Sequence, residues 1–171
     1  MPFTPFHFGP ALFIGLLFLS FIDFPTFLIS SVIVDIEPFL VLVLNLDFPL
    51  HGFFHSILGG TLVVIPLALL MLKIRDKLTK ILSFFRIEQK ISFPRILVAS
   101  LSGIYIHILL DSSMYTEILP LYPLNYNPLL TTGIFAGLDS YVFCIFAFFG
   151  AIIIYIVRLF LFYRKNQINL K

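Results

Sequence analysis

The sequence predicts an all-α fold, a polytopic transmembrane helix bundle of about five membrane helices plus an interfacial helix, built as one integral membrane domain over residues 1–171. Three observations predict it. Residues of the AVILMFWYC set make up 60% of the chain, charged residues only 12%, and the mean hydropathy is +1.06. A water-soluble domain is nearer half apolar and a quarter charged, and a chain this short cannot bury so much apolar surface by itself. The apolar residues also fall in long runs, and the basic residues are confined to two short stretches.

The runs set the elements. They cover about 8–22, 25–46, 54–72, 96–110 and 141–163. A hydrocarbon core takes about 20 helical residues, with a range of roughly 17–25. The second, third and fifth runs meet that directly; the first and fourth need flanking residues. Helices are the expected form because backbone in lipid must satisfy its own hydrogen bonds. Asp76 to Lys90 mixes charges with Leu78, Ile81, Leu82, Phe84 and Phe85, the pattern of an interfacial helix. The outer connection, 111–139, is long and holds Pro120, Pro123 and Pro128 with Tyr115, Tyr122 and Tyr126. Proline breaks helix there, and tyrosine favours the headgroup level.

The charges set the orientation. All eleven Lys and Arg residues lie either between Lys73 and Arg95 or from Arg158 to Lys171. A short basic loop, 73–95, is expected on the cytoplasmic side of a cell membrane. The C-terminus then shares that side and the N-terminus lies outside. Met1 to Phe8 carries no basic residue, so the first apolar run is expected to be retained rather than removed as a signal peptide. Cys144 stands alone and can form neither an intramolecular disulfide nor a thiol cluster. A net charge of +2 gives no reason to expect a nucleic-acid partner; membrane lipids are the expected surroundings.

Four histidines, His7, His51, His55 and His107, all fall at or near the outer ends of these segments. Asp111 follows His107 by four residues, so both side chains share one helix face. His51 and His55 have the same spacing if the third helix begins early. Such pairs can reach one ion. Asp35 and Glu37 lie deep in an apolar run, and intramembrane carboxylates usually face a bundle interior or a wet cavity. Pro38 disfavours helix at Glu37, so a kink or break there would turn both acids toward such a cavity. Asp47, Glu117 and Asp139 read as solvated loop residues. Together, the histidines and acids point to a divalent metal site.

Three motifs carry a resemblance. Asp35-Ile36-Glu37-Pro38, Gly52-Phe53-Phe54-His55-Ser56 and His107-Ile108-Leu109-Leu110-Asp111, the last followed by Pro120 and Pro123, stand in this order after His7. The chain thereby resembles the YdjM-like family of predicted membrane-bound, metal-dependent hydrolases, whose corresponding elements are D-x-D/E, G-x-T-H-S and H-x-x-x-D. The likeness spans roughly Met1 to Pro123. Here His51 occupies the register of a family arginine, and Phe54 that of a threonine. The His107–Asp111 element is also similar to one in zinc-dependent phospholipase C.

The resemblance implies a hydrolase with a His/Asp site near the outer membrane face. Its expected metal ligands are His7, Asp35, His55, His107 and Asp111, with His51 as a sixth ligand or a residue behind them, and Glu37 as general base or a further ligand. Imidazoles with carboxylates suit zinc, one or two ions, with manganese or iron as alternatives. A phosphoester or other lipid-like ester is the implied substrate. Two other classes fit the same residues: a metal-ion or proton translocator, and a membrane protein whose metal only ties helices together. Transport needs polar groups in the inner halves of the helices, where the sequence offers no histidines or matching acids.

Overall fold

The computed structural model describes residues 4–133 and 137–168. Among them are six α-helices and no strand: α1 (Phe8–Leu17), α2 (Phe24–Ser30), α3 (Ile36–Val43), α4 (Ile57–Phe84), α5 (Phe93–Ser112) and α6 (Leu138–Ile168). Short 3₁₀ turns, Thr4–His7, Ile33–Asp35 and Phe53–His55, precede α1, α3 and α4. Four stretches are long and apolar enough to cross a membrane: Phe24–Val43 as a single interrupted span, Ile57–Phe84, Phe93–Ser112 and Leu138–Lys165. Pro5–Leu17 is a shorter apolar helix. Leu62, Ile65, Leu69, Phe146, Phe149, Ile153 and Phe160 stand on outward faces, as lipid-facing side chains would.

Local chemistry explains where the helices start and stop. Asp23 caps α2, its carboxylate accepting from Thr26 N at 3.2 Å and from Thr26 Oγ1 at 2.6 Å. Ser56 caps α4 by accepting from Gly59 N. The second span breaks at Ser31–Val32, before Pro38 rather than at it. Proline sits in the first turn of α3, where its missing N–H costs nothing, so the helix restarts around it.

The basic connection differs from expectation. Lys73 to Phe84 is the last part of α4, and the stretch expected as an interfacial helix contributes no separate element. No glycine or proline lies between Leu67 and Phe84, so nothing stops the helix where the hydropathy drops at Lys73. At about 1.5 Å per residue, 28 residues reach about 42 Å, well beyond a hydrocarbon core of about 30 Å.

The core lies where α2, α4 and α5 meet, filled by Val64, Leu67, Met71, Ile96, Ile104 and Ile108 with Val34 from the break. Gly103 on α5 permits this closeness, since a Cβ there would collide with the Ser30 hydroxyl. Ser30 Oγ instead donates to the carbonyl of Ala99 at 2.9 Å. α1 packs on α2 and on α6. These contacts bring the break after α2, the start of α4 and the end of α5 to one end of the bundle.

Candidate metal centre

Each element delivers one or two polar side chains to that end. The break between α2 and α3 supplies Asp35, and the 3₁₀ turn before α4 supplies His55. The last turns of α5 supply His107 and Asp111, the turn before α1 supplies His7, and the α3–α4 connection supplies His51. All six are buried. His51 and His55 do not share a helix, because α4 begins only at Ile57. The 3₁₀ turn nevertheless brings their rings to 4.8 Å. His7 stacks on His107 with centroids 4.1 Å apart.

Asp35, His55, His107 and Asp111 each offer a ligand atom, and these atoms lie within 4.8 Å of one another. His107 Nε2 is 3.3 Å from Asp35 Oδ1 and 3.5 Å from Asp111 Oδ2; His55 Nε2 is 3.7 Å from Asp35 Oδ1. These separations are long for charge-assisted hydrogen bonds. They match the edges of a coordination tetrahedron, since two ligands each about 2.1 Å from one ion lie about 3.4 Å apart. His7 and His51 flank the same carboxylate, with His7 Nε2 3.1 Å from Asp111 Oδ1 and His51 Nε2 4.0 Å from Oδ2.

The outward-facing nitrogens are spoken for. His55 Nδ1 donates to Glu37 Oε2 at 2.8 Å, His107 Nδ1 to the Ser31 carbonyl at 2.7 Å, and His51 Nδ1 to Glu117 Oε1 at 2.9 Å. The Nε2 atoms of all three are buried without a hydrogen-bond partner. A metal-binding histidine has this arrangement: one nitrogen is fixed by a carboxylate or carbonyl, and the other turns inward as the ligand.

Glu37 sits behind His55 instead of beside the inner cluster. Its oxygens also accept from Gly52 N at 3.1 Å and Phe54 N at 3.2 Å. One carboxylate therefore sets both a ring and the turn that carries it. Glu117, read from sequence as a solvated loop residue, holds His51, and Tyr115 stacks on the same ring at 4.3 Å. The 111–139 connection thus covers the site; its residues 134–136 lie outside those described. Pro120 ties it down by accepting from Ile57 N at 2.9 Å. A glutamate in a tyrosine- and proline-rich loop was the available signal; the Ser31 carbonyl left none.

Outside the membrane-spanning helices, charge follows contact. Burial is the largest influence on His51 and pushes its imidazole below the usual value, despite the bond to Glu117. Burial also opposes charge on His55, but the carboxylates of Asp35 and Glu37 outweigh it and hold that ring above the usual value. Glu117 is held below the usual carboxylate range, desolvation being outweighed by the His51 hydrogen bond. The pocket around His55 favours positive charge.

Beside this centre runs a cavity of about 610 Å³ between α3 and the connections that follow α3 and α5. Leu40, Val41, Phe48, Phe53 and Leu119 line its length, with Glu37, His51 and Glu117 contributing polar groups. Comparisons of the chain with protein-family models, with curated proteins and with solved structures find no match.

Proposed function

We propose that this chain is a membrane-bound, metal-dependent hydrolase of the YdjM-like kind, acting on an amphipathic phosphoester at the outer face of the membrane. The observation that carries the reading is the inward convergence of three imidazole Nε2 atoms on Asp35 and Asp111, each ring fixed from behind through Nδ1. The donor set suits zinc, with manganese or iron as the alternatives. Asp35, His55, His107 and Asp111 would hold one ion, and His7 and His51, which flank Asp111, would share that carboxylate in holding a second. When bound, zinc supplies a Lewis acid and a water acidified to about pKa 7.

The rest of the work falls to the chain. Glu37 keeps His55 in one tautomer and one orientation, so its role is positioning; this replaces the general-base role expected of it. Glu117 does the same for His51. The outer connection limits water, and the apolar cavity would seat the tail of a lipid-like substrate with its polar end beside His51. Orientation follows the basic residues: Lys73–Arg95 and the C-terminus cytoplasmic, the N-terminus and the metal centre outside.

The test is a screen of phospholipid and phosphodiester substrates with added zinc or manganese, using detergent-purified protein beside His55→Ala. Metal-dependent turnover that His55→Ala abolishes is the expected result. A non-catalytic metal centre is the competing reading, favoured by the burial of all four inner ligands. It predicts bound metal with no turnover of any substrate.

A further inference from the structure

α4 ends at a residue that does not suit its backbone. Arg86 follows the C-cap with φ +57°, while Arg86 N bonds the Ser83 carbonyl at 3.0 Å and Ile87 N bonds the Leu82 carbonyl at 2.8 Å. This is the Schellman turn, in which the left-handed position favours glycine or, less strongly, asparagine. α3 ends in the same way with Asn45 at φ +49°. An arginine there adopts a conformation disfavoured for a side chain of its size, and such strain, where observed, prompts a search for what the side chain does.

The guanidinium has a defined place. Its carbon lies 5.4 Å from the centroid of the Phe162 ring on α6. Between the end of α4 and α6 lies an open cavity of about 820 Å³, lined by Arg86, Lys80, Ser83, Thr79 and Tyr163. Among the described residues Arg75 is the only Lys or Arg in an ion pair with a carboxylate, so Lys80 and Arg86 line this cavity without one; the nearby Glu88 carboxylate accepts from the Ser83 hydroxyl at 2.8 Å. The cavity meets a second one of about 390 Å³ at Phe85 and Tyr155. That slot is wholly apolar, walled by Leu12, Leu16, Leu78, Ile81 and Ala151, and lies between α1, α2, α4 and α6. A cationic, hydroxyl-bearing mouth on an apolar slot matches one molecule with an anionic head and a hydrocarbon chain.

We propose that this end of the bundle is a binding site for one anionic phospholipid, its phosphate held by Lys80 and Arg86 and one acyl chain lying in the slot. The site is at the opposite end of α4 from the metal centre and independent of it. Basic pockets between membrane helices take anionic headgroups by the same attraction. The lipid would join α6 to α4, which otherwise meet through contacts such as the Tyr155 hydroxyl donating to the Phe85 carbonyl.

Delipidated full-length protein in detergent would be titrated with phosphatidylglycerol, with phosphatidylcholine, and with inorganic phosphate or glycerophosphoglycerol, with binding read by native mass spectrometry. Preference for phosphatidylglycerol over phosphatidylcholine is expected, with no binding of the chain-free phosphates at equal concentration. Arg86→Gly and Lys80→Gln should each weaken phosphatidylglycerol binding about fivefold and leave phosphatidylcholine unchanged. Arg86→Gly suits the left-handed turn better than the native residue, so its loss of binding cannot arise from a damaged helix end. Equal binding of the two lipids, unchanged binding in both variants, or equal binding of glycerophosphoglycerol would each overturn the proposal.

Discussion

The Nδ1 atom of His55 lies 2.8 Å from Oε2 of Glu37, and the same carboxylate accepts from the backbone of Gly52 and Phe54. One side chain from the broken second span thus shapes the turn that presents His55, a candidate ligand, ahead of the third. Glu37→Gln keeps the size and one acceptor but loses the charge that fixes the imidazole. Zinc affinity should fall about 10–100-fold, as for other residues that orient a ligand. Competition titration against a chelator measures it; an affinity equal to wild type would remove Glu37 from the site.

Gly52 is bound to the same arrangement. A Cβ at that position would stand 2.8 Å from Glu37 Oε1, so Gly52→Ala must displace the carboxylate or the turn. Overpacking of this kind costs about 1–3 kcal/mol. The thermal midpoint in detergent should drop, and metal affinity should drop with it. Loss of stability alone, with unchanged affinity, would mean that the turn and His55 are not coupled.

Far from the candidate metal centre, Arg75 Nε donates to Asp23 Oδ2 at 2.6 Å, with both side chains buried. Asp23 is also the cap of α2. Arg75→Met leaves a buried carboxylate without its cation, a change that costs about 3–5 kcal/mol. Asp23→Asn with Arg75→Met should recover part of that loss. Thermal unfolding of the two variants decides the matter, and zinc content per folded chain should stay at the wild-type level in both.

Proton competition gives the pH dependence its sign. Imidazole must be neutral to bind metal, so protons and zinc compete for the same Nε2 atoms. His55 is held above the usual imidazole value of about 6.5, so zinc affinity should begin to decrease while pH is still above that value and go on falling as pH drops through it. Isothermal titration at a series of pH values tests this. Affinity that is flat across the range would argue that carboxylates alone hold the ion.

Much of the site could be read from the sequence because its chemistry is carried by rare residues. In a chain with only four histidines, their shared position at helix ends was visible, and all four prove to be buried around Asp35 and Asp111. What escaped was relational. The hydropathy drop at Lys73 looked like the end of a helix, yet α4 runs on to Phe84 because helix is stopped by backbone chemistry and not by charge. Arg75 looked like another loop cation, but the continued helix buries it on Asp23. Glu117 looked solvated because nothing local revealed that the loop folds back to His51. Glu37 could be read as part of the polar cluster, but only the turn geometry shows that it bonds His55 Nδ1 from behind instead of facing the inner carboxylates.

Metal content of the purified full-length protein tests the account most directly. Elemental analysis in detergent should find about one or two zinc ions per chain, and His107→Ala, which removes one of the two fully buried inner imidazoles, should lose most of them while the helical content stays unchanged. A wild-type protein without bound transition metal, or a His107→Ala variant that retains the full amount, would contradict it.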